Sequence, residues 1–161
     1  MANLLKNPSF EMPALPPTSN PQTDVPGLSA GSNWTTWNNS KAITTTDILP
    51  STRPGGGKQM IHVCTTGSNN GLVQAFLPHT EPGIQHATSS VWVFVLRGKV
   101  GMGTGDGGNT GIDAQSTTTG QWEELKAPNG GKPVNEFIVY SVSPAGACYY
   151  IDDATVSQAH G

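Results

Sequence analysis

Aromatic side chains that stand beside amides are the residues of this chain best suited to recognition chemistry. Trp37 is followed at once by Asn38 and Asn39, and Gln74 lies in a short apolar segment. An aromatic ring stacks on the apolar face of a sugar, and amide groups fix the register of the sugar by hydrogen bonds. These residues predict a site for a neutral sugar, with Trp37 as the main stacking platform. Further candidates for the same site are His62, Trp122 and Tyr140.

Most of these side chains also have a structural explanation. Trp34 and Trp92 are expected in the core, because tryptophan is highly buried on average. Trp122 suits either role. Gln74 could bond to backbone groups inside the fold, and His62 could be an ordinary strand histidine.

Catalysis has little support in the sequence. Glu123, Glu124 and Glu136 could in principle supply a glycosidase pair, but nothing places two of them in one cleft. Residues 103–108 match G-x-G-x-x-G, yet no helix follows them and no βαβ unit surrounds them. The glycine-rich stretch therefore predicts a hairpin or a loop rim, and an enzyme remains the weakest of the functional hypotheses.

Composition and charge narrow the class of protein. The chain has 161 residues, enough for one domain, and a net charge of −3 with scattered Lys and Arg. The absence of a basic patch argues against nucleic acid and anionic membrane as partners. No apolar run reaches the length of a membrane span, and no signal peptide precedes residue 3. We expect a monomer.

Cys64 and Cys148 are the only two cysteines, and both fall in predicted strands. In a secreted protein they could form a disulfide, and two buried thiols are an equally good interpretation. Two cysteines without paired spacing do not predict a zinc site.

The elements that must position these residues are short strands. Glycine and proline make up about a fifth of the chain, which disfavours long helices. Short apolar or alternating segments at regular spacing predict a two-sheet β-sandwich. The predicted strands are residues 3–10, 34–37, 42–46, 59–64, 72–77, 90–96, 120–126, 137–142 and 147–156. One domain spans residues 1–161, with its core at about 3–156 and a tail at 157–161.

Several of these segments, in this order, resemble the carbohydrate-binding modules of families four, nine, sixteen and twenty-two. Residues 3–11, with Asn7-Pro8-Ser9-Phe10-Glu11, are similar to their opening strand, and Trp34 stands where a tryptophan follows the first loop. The other similar segments are residues 59–67, 70–74, 91–98, 120–122 and 149–156. The loops at 12–33 and 78–87 are longer than in those modules.

The resemblance implies an all-β jelly roll of the galactose-binding-domain-like type that binds glycan without cleaving it. It implies a secreted parent protein with a catalytic domain and a ligand of the β-glucan, xylan or mannan class. Gln74 and His62 would face a concave cleft. An alternative is a structural or adhesion module of a fibre or cell-wall protein, and a lesser one is a polysaccharide-degrading domain.

The resemblance also implies a structural calcium ion between the first and last strands. Carried over residue by residue, the ligands are the carboxylates of Glu11 and Asp152 and the carbonyl of Ser9. Calcium takes six to eight oxygen ligands, so two acids from opposite ends of the chain are chemically suitable. Asp152 is preferred to Asp153 because Ala154 and Val156 lie two and four residues after it, on the same face of the strand. The ligand Asp of these modules stands at that spacing before core residues. Otherwise these acids would simply face water.

Overall fold

The computed structural model describes residues 3–5, 35–37, 40–45, 60–68, 71–77, 83–105, 111–128 and 133–158. Within these ranges the chain forms ten strands and no helix. The strands are β1 Thr35–Trp37, β2 Ser40–Thr45, β3 Met60–Thr65, β4 Gly71–Ala75, β5 Ala87–Arg97, β6 Val100–Gly105, β7 Gly111–Gln115, β8 Trp122–Pro128, β9 Glu136–Ser141 and β10 Cys148–Gln158. Consequently, the described ranges contain no helix that could cross a membrane.

The strands build two five-stranded antiparallel sheets. Sheet A has the order β2-β3-β10-β5-β8, and sheet B has the order β1-β4-β9-β6-β7. The neighbours in each sheet are mostly far apart in sequence, as expected when connections cross between two packed layers. The predicted all-β jelly-roll sandwich is confirmed.

The core lies between the sheets and follows the two-residue alternation of the strands. In β5, Val91, Val93 and Val95 have almost no exposed surface, and in β9 the same is true of Phe137 and Val139. Side chains at every second position of a strand share a face. Each sheet therefore turns one apolar face inward, toward the other sheet. Residues 90–96 were predicted to be buried on both faces, and they are mostly buried.

The glycine-rich segment was predicted as a loop rim or hairpin, and it begins as a strand. In β6 the side chains of Val100, Met102 and Thr104 are fully buried and alternate with glycines at 101 and 103. The buried column and the pairing with β9 on one side and β7 on the other hold the strand, although glycine is unfavourable in strands. β6 and β7 form the predicted hairpin.

A buried tyrosine links the two sheets. Tyr149 of β10 is fully buried, and its hydroxyl donates to the backbone carbonyl of Val139 in β9 at 3.3 Å. Burial raises the pKa of Tyr149 far above its usual range, so the hydroxyl stays protonated and remains a donor.

We expect Tyr149→Phe to lower the free energy of unfolding by about 1 kcal/mol, because it removes one buried hydrogen bond and keeps the ring. Urea unfolding of both proteins measures the difference, and an unchanged m-value shows that the denatured states are comparable. A variant as stable as the wild type would mean that the bond contributes nothing across the sheets.

The two cysteines form a disulfide, which decides between the two interpretations left open by the sequence. Cys64 of β3 and Cys148 of β10 are direct cross-strand partners with Cα atoms 4.2 Å apart. Their ladder continues through Val63 opposite Tyr149 and His62 opposite Tyr150. The bond therefore joins two strands that already pair.

The described N-terminal residues, 3–5, lie beside β10. The Leu4 amide donates to the Val156 carbonyl at 2.8 Å, and the Val156 amide donates to the Asn3 side chain at 3.1 Å. Leu5 belongs to the buried core. Residues 7–11, the part of the first segment expected to share a calcium ion with the last strand, lie outside the described ranges.

Candidate functional site

One row of residues crosses all five strands of sheet B. Trp37 pairs with Gly71, Gly71 with Tyr140, Tyr140 with Gly101, and Gly101 with Gln115. Directly opposed residues in antiparallel strands project to the same face. Leu72, Val139 and Met102, which follow or precede members of this row, are fully buried in the core. By backbone register, the positions of this row, which we call the sheet B row, therefore belong to the outer face of sheet B.

Tyr140 occupies the middle of the sheet B row between two glycines. Gly71 and Gly101 carry no side chain that could flank its ring. Tyr140 as a whole residue is 5% exposed, so it lies in the floor of this face. Burial, and secondarily the negative charge of Asp113, raises the pKa of Tyr140. Its hydroxyl is therefore a neutral donor over the physiological pH range.

The open end of the sheet B row lies at β7. Gln115 is exposed there, and the chain then crosses to sheet A through residues 116–119. These residues line a polar recess together with Gly98 and Lys99. This end of the face supplies an amide, hydroxyl groups and one cation.

Glu123 organises the same crossing. Its carboxylate accepts hydrogen bonds from the amide and hydroxyl of Thr117 at 2.9 and 2.7 Å, and from those of Thr118 at 3.3 and 3.2 Å. Burial raises the pKa of Glu123, but these hydrogen bonds outweigh it and the pKa lies below its usual value. The Glu123 carboxylate therefore fixes the backbone at Thr117 and Thr118, in the connection between β7 and β8.

The other two acids considered for a glycosidase pair are Glu124, which follows Glu123 in the chain, and Glu136. Glu124 is exposed on β8 of sheet A, whereas Glu136 starts β9 of sheet B. Neighbouring residues of a strand project to opposite faces, so Glu123 and Glu124 do not face each other, and Glu136 belongs to the other sheet.

A second row, of aromatic rings, crosses sheet A. It runs from His62 in β3 through Tyr150 in β10 and Phe94 in β5 to Trp122 in β8. His62 stacks on Tyr150 with ring centroids 4.7 Å apart, and Phe94 meets Trp122 edge-on at 5.6 Å. These positions alternate with the core residues Val63, Val93 and Ile151, so this sheet A row lies on the outer face of sheet A.

The candidate sugar-binding residues thus fall on opposite sides of the sandwich. The register of Trp37 places it with Tyr140 on sheet B, whereas His62 and Trp122 lie on sheet A. Tyr150 and Phe94, 3% and 4% exposed, join the second pair and were missed by the sequence analysis. The alternation of outward and inward positions within β5 and β10 could have placed Phe94 and Tyr150 on an outer face. The sequence does not show which strands pair, so it could not bring these residues together with His62 and Trp122.

Gln74 is not placed on an outer face. It pairs with Phe137 and shares its side of β4 with Leu72, and both of these residues are fully buried. Gln74 itself is 4% exposed. Its placement matches the structural explanation, a polar side chain inside the sandwich, and differs from the expected position in a cleft. Asn38 lies outside the described residues.

The carboxylate of Asp152 lies close to the junction of the chain ends. It is 2% exposed and accepts a hydrogen bond from the Asp153 amide at 2.9 Å. The strand is irregular here, since the pairing shifts between Asp152 and Thr155 and Asp153 has a φ of 46°. The Asn3 side chain donates to the Ala154 carbonyl at 2.9 Å. The other two proposed calcium ligands, Ser9 and Glu11, lie outside the described ranges.

No protein-family model and no curated protein matches this sequence. Solved structures do match in fold. The C-terminal family 22 carbohydrate-binding module of Clostridium thermocellum Xyn10B has a TM-score of 0.62 at 18% identity, over 80% of this chain and 87% of that one. The structure of TmCBM61 in complex with β-1,4-galactotriose has a TM-score of 0.59 at 20% identity, over 99% of this chain and 100% of that one.

A third match is the two-module chain CBM22-1–GH10 of Clostridium thermocellum xylanase 10B, complexed with xylohexaose. Its TM-score is 0.59 at 15% identity, and the match covers 80% of this chain. This chain spans 26% of that protein's length. At these identities the likeness concerns the fold, and it confirms the predicted resemblance to the fold of carbohydrate-binding modules.

Proposed function

We propose that this chain is a non-catalytic carbohydrate-binding module that binds a neutral polysaccharide on the outer face of sheet B. The observation that carries the proposal is the sheet B row, which brings Trp37 and Tyr140 onto one face with a glycine between them. Adjacent strands lie about 4.8 Å apart, so the two positions are separated by roughly 10 Å. A glycan chain lying across the strands would meet both.

Each residue of the row has a distinct role in this proposal. Trp37 is the stacking platform, Tyr140 is the floor and donates from its neutral hydroxyl, and Gln115 contributes the exposed amide at the far end. The net charge of −3 disfavours strongly anionic polymers. The ligand class we propose is β-glucan, xylan or mannan, and the xylohexaose and β-1,4-galactotriose complexes of proteins with this fold support a β-1,4-linked chain.

The proposal extends to the parent protein. A module of this kind serves by keeping an attached catalytic domain on its substrate, and we propose a secreted parent protein with such a domain. The match to one part of a CBM22-1–GH10 chain supports this arrangement.

Affinity electrophoresis against xylan, β-glucan, mannan, galactan and cellulose tests the function. We expect retardation by at least one neutral β-linked polymer and no release of reducing sugar from any of them. Sugar release would indicate a polysaccharide-degrading domain. Neither retardation nor release would favour the structural or adhesion module.

We also propose that calcium binds at the junction of the chain ends, held by Glu11, Asp152 and the Ser9 carbonyl. Asp152 fits this role, because a carboxylate that is 2% exposed gains from a nearby cation and offers the hard oxygen that calcium prefers. The ion would tie the first segment to β10 and would act on stability.

We expect EDTA to lower the melting temperature, because calcium binds the folded chain alone. At a hundredfold excess over Kd the ion contributes about 2.7 kcal/mol, which is roughly 5–10 °C for a chain of this size. Asp152→Asn should remove the EDTA effect, while Glu124→Gln, a change to an exposed acid on β8, should keep it. An unchanged melting curve with EDTA, together with no copurified calcium, would contradict the proposal.

A further inference from the structure

A histidine and the two cysteines form a compact cluster on the outer face of sheet A. His62 and Cys64 are two residues apart in β3 and so project to the same face, and Cys148 is the direct partner of Cys64 in β10. One nitrogen and two sulfur atoms of these residues lie within 4.8 Å of one another. All three side chains are half-buried, so small solutes can reach them.

One distance in the cluster, between the Cys64 sulfur and the His62 nitrogen, already equals that between two ligands of a soft-metal site, and reduction lets the two sulfur atoms move apart. Zinc binds sulfur at about 2.3 Å and imidazole nitrogen at about 2.0–2.1 Å in a tetrahedron, which separates a sulfur and a nitrogen ligand by roughly 3.6 Å. The Cys64 Sγ and the His62 Nε2 are 3.6 Å apart. The stacking of His62 on Tyr150, with centroids 4.7 Å apart, already orients the imidazole.

The disulfide prevents metal binding, since its sulfur atoms carry no thiolate charge. A thiol or phosphine reductant supplies two electrons and ends as a disulfide or a phosphine oxide. With two protons from the reductant thiols or from water, this breaks the S–S bond and leaves one thiol on Cys64 and one on Cys148. A divalent ion then displaces both thiol protons to the solvent and binds the two thiolates. The backbone pairing of β3 with β10 keeps the two cysteines opposed when the covalent bond is gone.

We propose that reduction converts this cluster into a binding site for a soft divalent cation such as zinc, with His62, Cys64 and Cys148 as ligands and water in the fourth position. A two-electron oxidant, such as oxygen or a small-molecule disulfide, takes two electrons from the two thiolates, which closes the S–S bond and releases the ion to the solvent. The site is separate from the proposed glycan surface, because sheet A and sheet B turn opposite faces outward. The inference goes beyond the proposed function and does not depend on it.

Cobalt(II) is the probe, because cobalt thiolates absorb in the near ultraviolet. The reduced protein, kept without oxygen in a phosphine reductant and millimolar calcium, is titrated with Co²⁺ and then with Zn²⁺. We expect one Co²⁺ per chain with a thiolate charge-transfer band, displacement by Zn²⁺, and no band in the oxidised protein. Calcium in the buffer fills any oxygen-ligand site and leaves the sulfur site to cobalt.

His62→Ala should weaken Co²⁺ binding at least tenfold. His86→Asn is the matched control, since His86 is an exposed histidine with a φ of 58°, a conformation that asparagine tolerates. This variant should bind like the wild type. Equal affinity in the His62 and His86 variants, or no thiolate band in the reduced protein, would overturn the proposal.

Folding of the reduced chain is followed in the same samples. We expect Zn²⁺ to raise the melting temperature of the reduced protein and to leave that of the oxidised protein unchanged. A reduced chain that loses its near-ultraviolet circular dichroism and does not recover it with zinc would also overturn the proposal.

Discussion

Loss of the Cys64–Cys148 disulfide lowers the free energy of unfolding by about 2–5 kcal/mol. The bond joins residues 84 apart in sequence, and closing a loop of that length removes roughly 4–5 kcal/mol of chain entropy from the unfolded state. Because β10 lies in the middle of sheet A, between β3 and β5, the bond restrains the strand on which most of that sheet depends. The melting temperature should fall by roughly 5–15 °C.

Denaturant unfolding of three samples measures this effect. The oxidised wild type is compared with the reduced wild type in a metal chelator and with the Cys64→Ala/Cys148→Ala double variant. The reduced protein and the double variant should be destabilised to a similar extent, and reductant should have no effect on the double variant. A loss below about 1 kcal/mol would contradict this prediction. It would show that the bond adds little to the pairing of β3 with β10 and removes little entropy from the unfolded chain.

Trp37→Ala should weaken glycan binding by about 2–3 kcal/mol, roughly a thirty- to 150-fold increase in Kd. Trp37 is the proposed stacking platform, and alanine at that position removes the apolar surface that covers the sugar face. The measurement is isothermal titration with an oligosaccharide of the polymer that retards the protein in the electrophoresis panel.

Two further variants make this experiment specific. Trp122→Ala removes a half-buried aromatic ring from the opposite sheet and should leave the affinity unchanged. Tyr140→Phe keeps the floor of the face, removes only its hydroxyl and should cost about 1 kcal/mol of binding. If Trp122→Ala abolishes binding while Trp37→Ala does not, the glycan surface is the sheet A row.

Sequence patterns were most informative for strands whose own residues show which faces are buried. Alternation in residues 59–64 and the apolar run at 90–96 predicted β3 and β5, because a strand with one or two buried faces needs those side chains wherever its partners lie. In β6 the buried residues Val100, Met102 and Thr104 also stand at every second position, with glycines between them. The glycine content of that segment hid the signal, and β6 was therefore missed.

The candidate site was less predictable, because it depends on which strands become neighbours. Trp37 and Tyr140 are about a hundred residues apart in sequence and take positions in one row only because β1 and β9 both pair with β4. The residues around Gln74 are apolar on both faces of the strand, so the sequence does not show whether Gln74 points outward or inward. Only its pairing with Phe137 shows that it points into the core.

By itself, the sequence determined that this chain is an all-β sandwich with a small net charge and two cysteines in strands. The tertiary structure alone decided the disulfide, the division of aromatic side chains between two opposite faces and the cluster of His62 with the cysteines. The physical reason is that strand alternation is a local property with a period of two, whereas register and sheet order arise from pairing between distant segments.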